Sequence, residues 1–89
     1  MRVTWDEHKQ RLNLKTHRLD FEDHDDFGWE DALILQAKPG KRGEARFHAV
    51  GICRAELITI VFSPLGSEAI SLISMRPSSR GERRQYAHR

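Results

Sequence analysis

The apolar positions of this 89-residue chain are sparse and scattered up to about residue 31, then fall into runs with the period of extended strands. Leu57-Ile-Thr-Ile-Val-Phe62 is nearly continuous and β-branched, the pattern of a central strand buried on both faces. Arg46-Phe47-His48-Ala49-Val50-Gly51-Ile52 alternates, so Phe47 and Ala49 face away from Arg46 and His48. Ala32–Ala37 is a short apolar run ahead of a Pro39-Gly40 turn, and residues 69–76 form a further strand after the turn chemistry of Ser63-Pro64-Leu65-Gly66-Ser67. Short links between these runs favour antiparallel neighbours, because parallel pairing needs a long crossover.

The polar first third reads differently. Arg2–Trp5 suits a short strand, and Asp6 is an N-cap for a helix over residues 7–17. That helix carries little apolar surface. Trp5, Leu12 and Leu14 would supply its thin packing stripe, with Lys9, Asn13 and Thr16 on another face. A second short helix is expected from Asp20, anchored by Phe21 and Phe27 and stopped by Gly28. At the far end, Ser79 and Glu82 have capping-box spacing for a last helix. The expected order is β-α-α-β-β-β-β-α. It describes one α+β domain over residues 1–89, an antiparallel four-stranded meander plus a short N-terminal strand, with two N-terminal helices and one C-terminal helix.

Charge changes the picture. The net charge is only +2, yet the signs are segregated. Seven of the thirteen acids lie between Asp20 and Asp31, and no Lys or Arg occurs between Leu19 and Ala37. The fifteen Lys and Arg residues fall into three groups of five, at 2–18, 38–54 and 76–89. If the fold gathers those groups, the surface would concentrate a polyanion; left apart, they would be an ordinary solvated surface. A lone Cys53 excludes an internal disulfide and a multi-cysteine zinc site, and suits a reducing cytosol. No apolar run approaches the ~18 residues of a membrane span. The expected location is therefore cytoplasmic.

Candidate chemistry follows from the same residues. Glu22-Asp23-His24-Asp25-Asp26 has no recognised metal-ligand spacing and reads as a solvated face, so neither a metal nor a cofactor is expected. No phosphate-cradling Gly-rich loop or nucleophile elbow occurs. What remains suits phosphodiester cleavage through a neighbouring 2′-hydroxyl. That reaction needs a base, an acid and cations around the phosphorane-like transition state. Arg46 and Arg76 are strand arginines able to clamp a phosphate, and Glu44 or His17 could take the proton. Lys9, Lys15, His17 or Tyr86 could serve as acid or add charge. Arg80, Arg83 and Arg84, at i, i+3 and i+4, share one helical face suited to backbone phosphates. Plain structural duties compete with each role: Glu44 could simply pair with Arg46, His17 favour a helix C-terminus, and Tyr86 pack.

The order of these residues resembles a known family. Trp5-Asp6-Glu7-x-Lys9-x-x-x-Asn13-x-Lys15-x-His17 with Phe21-Glu22-Asp23, then Gly43-Glu44-x-Arg46-Phe47-x-x-x-Gly51, then Ile73-Ser74-Met75-Arg76-Pro77-x-Ser79-x-x-Glu82-Arg83-x-x-Tyr86, is similar to the BrnT toxins of type II toxin–antitoxin systems. Together the pieces span almost the whole chain. The resemblance implies a RelE-like ribonuclease fold and translation inhibition by cleavage of mRNA. It also implies a BrnA-like partner, a ribbon-helix-helix, DNA-binding antitoxin that represses the operon. Carried over position by position, it singles out Lys9, His17, Glu44, Arg46 and Arg76 as catalytic, with Lys15, Arg80, Arg83, Arg84 and Tyr86 on RNA. The chain departs from the pattern at Ser71, where many relatives place an arginine, and at Arg18, where glycine is frequent. It departs again at His24-Asp25-Asp26, in place of an alanine-rich helix. A missing strand arginine opens the alternative of a catalytically impaired module that binds RNA or antitoxin and acts mainly in operon autoregulation.

Overall fold

The computed structural model describes residues 1–89. Its elements are β1 (Arg2–Trp5), α1 (Glu7–His17), two 3-10 helices (Phe21–Asp26 and Trp29–Asp31), β2 (Leu33–Gln36), β3 (Phe47–Cys53), β4 (Glu56–Leu65), β5 (Ala69–Pro77) and α2 (Arg80–Ala87). The strands make one five-stranded mixed sheet in the order β1-β5-β4-β3-β2. Strands β2 to β5 pair antiparallel in sequence order, while β1 pairs parallel with β5. Sixty-odd intervening residues supply the crossover that a parallel pair requires. No helix is long and apolar enough to cross a membrane.

One sheet face carries the core. Phe21 and Phe27 cover Ala49, Cys53, Ile58, Ile60, Phe62, Ile70, Leu72 and Met75. The ring of Phe27 lies so close to Gly51 that a Cβ there would sit 2.7 Å from Cζ, which is why this strand position carries no side chain. The segment expected to be a second α-helix is 3-10 instead. Asp20 caps it, accepting from the Glu22 N–H at 3.0 Å. Phe21 and Phe27 must both reach the core within seven residues, and Phe27 then bridges to Cys53, which cuts the helix short. Gly28 is not a left-handed stop: with φ −79° it leads into the next 3-10 turn.

Helix α1 also departs from expectation. Leu12 and Leu14 are about half exposed, and the buried residue is Asn13. Strand β1 ends at Trp5, opposite Leu72, so the outer edge of β5 beyond that point has no strand neighbour. Asn13 takes its place. Its Nδ2 donates to the Met75 carbonyl at 2.8 Å and to the Leu19 carbonyl at 2.9 Å, while its Oδ1 accepts from the Met75 N–H at 3.0 Å. The face expected to be polar is therefore the docking face, because an unpaired strand edge needs hydrogen bonds more than apolar contact. Arg18 closes α1 with φ +59°, a conformation that favours glycine.

The two longest strands, β4 and β5 at the centre of the sheet, run beyond the bounds the sequence suggests. Strand β4 continues through Ser63-Pro64-Leu65, since β3 ends its pairing at Phe47 opposite Phe62 and Pro64 interrupts no ladder on that side. A bulge between Val61 and Phe62 leaves Ile73 as the extra residue, so Leu72 and Met75 both face the core. The β3–β4 hairpin turns on Arg54 and Ala55, both at positive φ (51° and 70°). Arg54 is held there by Asp23 and Asp26 at 3.0 and 2.9 Å, so part of the acidic run acts as a clasp on the hairpin.

Two outcomes are expected. Asn13→Ala strands the buried Met75 amide groups and lowers stability by roughly 3 kcal/mol, seen as a lower urea midpoint with unchanged m-value. Ala55→Gly relieves a left-handed alanine and raises stability by about 1 kcal/mol in the same assay.

Candidate nucleic-acid interface

The sheet face opposite the core is polar, and strand alternation puts its side chains there. Thr59, Val61 and Ser63 of β4 point away from Ile58, Ile60 and Phe62; His48 of β3 points away from Phe47 and Ala49. Register arranges these into rows across the sheet. His48, Val61 and Ser74 form one row, and Thr4, Ser71 and Ser63 another. Arg46 stands one step beyond the Phe47–Phe62 pair, beside Ser63.

Beside these rows, α1 and the β2–β3 loop border an open groove of about 700 Å³, lined by Lys9, Lys41, Arg42, Gly43, Glu44 and Arg46. Four of the six are cations. The loop is shaped by Glu44, whose carboxylate accepts from the Arg42 N–H at 3.0 Å and from Arg46 Nη2 at 3.4 Å. Its own backbone N–H, with the Arg42 N–H and the two guanidiniums, holds the Glu44 carboxyl below its ordinary value. Gly40 leaves room for this carboxylate: a Cβ there would meet the Glu44 carboxylate, which would have to swing aside. Arg46 is about one-third exposed, and its Nε is buried without a partner, as is Ser63 Oγ.

The second cluster surrounds Glu82, which is 7% exposed. The capping box forms as its spacing predicts: Ser79 Oγ accepts from the Glu82 N–H and Glu82 Oε1 accepts from the Ser79 N–H at 2.8 Å. The same carboxylate takes both terminal nitrogens of Arg76, at 2.7 and 2.9 Å, and the Thr59 hydroxyl at 3.0 Å. Since Thr59 spends its proton on Glu82, Ser78 must donate to Thr59 at 2.8 Å. His48 Nδ1 completes the set at 3.2 Å from Oε2. The Arg76 guanidinium holds the Glu82 carboxyl well below the usual carboxylate range, against burial, which pushes it up.

The sequence-selected residues therefore divide. Lys9, Glu44 and Arg46 share the groove. His17 lies apart in a small hollow with Leu12, Asn13, Thr16 and Ile73, to which Lys9 also belongs. Lys15 is exposed on α1 outside both. Arg76 is on the polar face but engaged by Glu82 rather than free, and Arg83 Nε bonds the Ser78 carbonyl at 3.2 Å. Arg80 and Arg84 are exposed on α2, and Tyr86 lies under the Arg89 guanidinium at 3.7 Å. Lys41 and Ser63 escape the sequence reading apart from the charge run at 38–54 that includes Lys41, whereas Arg42 enters it as a substitute for the strand arginine missing at Ser71. The Asp20–Asp31 acids ride on the 3-10 segments over the core face, opposite the groove. A hollow of about 540 Å³ on that side is mostly apolar, lined by residues such as Val3, Trp29, Ile34 and Ile70, with no Lys or Arg and with Asp25 in its wall. Burial pushes the Cys53 thiol up, which makes it a poor nucleophile.

A small α+β domain with a cationic groove beside the polar face of its sheet is suited in charge to a polyanion, and comparison names its family. The family described as "Ribonuclease toxin, BrnT, of type II toxin-antitoxin system" matches residues 5–82. The chain belongs to that BrnT family. It is similar to the crystal structure of the Brucella abortus ribonuclease toxin BrnT, at 35% identity and a TM-score of 0.73, over 90% of this chain and 99% of that one. No curated protein matches the chain significantly.

The Glu82 cluster sets an acid limit on stability. Its carboxyl is ionised in the fold and depressed from 4.5, so its stabilisation is complete above that value and is lost as pH falls below it. Urea unfolding from neutral pH downward should show this loss. Glu82→Gln should unfold more easily at pH 7, by about 3–5 kcal/mol for a broken buried pair, and show a shallower acid limb.

Proposed function

We propose that this chain is a metal-independent endoribonuclease with a RelE-like architecture, which inhibits translation in the cytoplasm by cutting mRNA. In this reading a BrnA-like, ribbon-helix-helix antitoxin neutralises it by covering the basic face with an acidic segment, and the pair represses its own operon. The observation that carries the proposal is the groove in which Lys9, Lys41, Arg42 and Arg46 converge around Glu44. Cations from a helix and a loop, aimed at one small volume, suit the extra charge that develops on a pentacovalent phosphate. Arg46 stands one residue before β3, with its Nη2 on Glu44 at 3.4 Å and its side chain about one-third exposed in the groove wall. In this reading Lys9, which also lines the groove, protonates the leaving oxygen. Arg80, Arg83, Arg84, Lys15 and Tyr86 extend the surface for flanking nucleotides, with Arg76 anchoring α2 through Glu82.

A second reading has its own support. Ser71 places no cation in the row between Thr4 and Ser63, and Arg76 spends both terminal nitrogens on Glu82. A groove short of strand cations suits a module that binds RNA or antitoxin without cutting.

Purified protein, free of antitoxin, should cleave RNA in the presence of EDTA and leave 2′,3′-cyclic phosphate ends. Arg46→Ala should lose on the order of 10²-fold in rate, the usual consequence of removing one preorganised charge. Absence of cleavage by the wild type, with RNA binding retained, would favour the binding module.

A further inference from the structure

We propose that His48 is a catalytic base of the ribonuclease reaction, acting through Nε2, and that Glu82 is its positioning residue. The inference rests on the ribonuclease reading above and names the proton acceptor that reading requires.

His48 lies on β3 with its side chain on the groove face, two residues from Arg46, or roughly 6–7 Å along an extended strand. It is 29% exposed, enough for contact with a bound strand. Its Nδ1 lies 3.2 Å from Glu82 Oε2. That carboxylate is ionised against Arg76 and can only accept, so Nδ1 carries the hydrogen. The neutral ring then has its lone pair on Nε2. This nitrogen makes no hydrogen bond within the protein, and the only buried side-chain polar atoms lacking a partner are Arg46 Nε and Ser63 Oγ, so Nε2 reaches solvent. A carboxylate that fixes the tautomer of a solvent-reaching imidazole is the arrangement a histidine base needs.

The rivals are weaker. Glu44 already spends its carboxylate on the Arg42 N–H and on Arg46 Nη2. His17 shares the hollow beside α1 with Lys9, but no carboxylate fixes its tautomer as Glu82 fixes that of His48. His24 stacks edge-on against Trp5, over the core face.

In the proposed step Nε2 takes the 2′-hydroxyl proton while the 2′-oxygen bonds to phosphorus. The P–O5′ bond then breaks, and the departing 5′-oxygen takes a proton from the Lys9 ammonium. The products are a 2′,3′-cyclic phosphate and a 5′-hydroxyl end. His48 returns its proton to solvent, from which Lys9 is recharged.

The groups that set the pH response are identifiable. Helix α2 presents Glu82 and, one turn on, Tyr86; β5 presents Arg76; Arg46 stands one residue before β3. The flanking residues on β2 and β4 are Leu35 and Val61, which do not titrate.

The test is single-turnover cleavage of an RNA oligonucleotide in EDTA across neutral pH, with wild type and His48→Asn. Asparagine keeps a donor toward Glu82, so the variant should unfold within a few degrees of wild type. It should lose about 10²–10⁴-fold in rate together with the acid limb of the pH profile. In the wild type, the limb should coincide with the titration of His48 followed by NMR. A His48→Asn protein that cleaves within about threefold of wild type with the limb intact would overturn the inference and leave the ribonuclease reading standing. So would an NMR titration of His48 displaced by more than about one pH unit from the kinetic limb, which needs no variant. A wild type that cuts no RNA removes both.

Discussion

The carboxylate of Glu82 joins four elements at one point, and the polar side of the molecule is organised around it. A charge buried at this depth is tolerated only when its donors are complete, and here they come from β3 (His48), β4 (Thr59), β5 (Arg76) and the cap of α2 (Ser79). The helix cannot shift along the sheet without stranding that charge. Arg76 is immobilised by the same bond that anchors α2, so its first duty is architectural. Arg46 Nε and Ser63 Oγ are buried in this region without a partner, whereas the outer nitrogen of His48 reaches solvent.

Asn13 plays the corresponding part on the other side. A helix with almost no buried apolar surface is held because β1 is one short strand and leaves the end of β5 unpaired. One carboxamide, a donor and an acceptor in a single plane, satisfies both groups of Met75. The consequence reaches the site. With α1 fixed at that edge, Lys9 is carried to the rim of the groove, facing a loop that leaves the sheet at the opposite edge.

The sheet also sorts charge. The acidic 3-10 segments cover the apolar face because Phe21, Phe27 and Trp29 lie among their acids, and two of those acids clasp Arg54. The basic loop and helix border the polar face. A net charge of +2 therefore hides two surfaces of opposite sign, kept apart by the thickness of the sheet, so that the acids do not screen the groove. Membership of the BrnT family gives that basic face a biological setting among ribonuclease toxins.

What the sequence determined by itself was whatever depends on neighbours along the chain. Alternation assigned Arg46 and His48 to one face, β-branched runs marked β4 and β5, Ser79 and Glu82 announced the capping box, and motif order pointed to the family. What only the tertiary structure decided was how groups distant in sequence share partners. That Asn13 and not Leu12 docks α1 depends on the edge left open by β1, where Asn13 meets Met75 from 62 positions away along the chain. That Arg76 is tied and Lys41 and Arg42 line the groove depends on a loop and a helix meeting across the sheet. Periodicity records which way a side chain points, whereas hydrogen-bond capacity is finite and is allotted among all the groups that folding brings within reach.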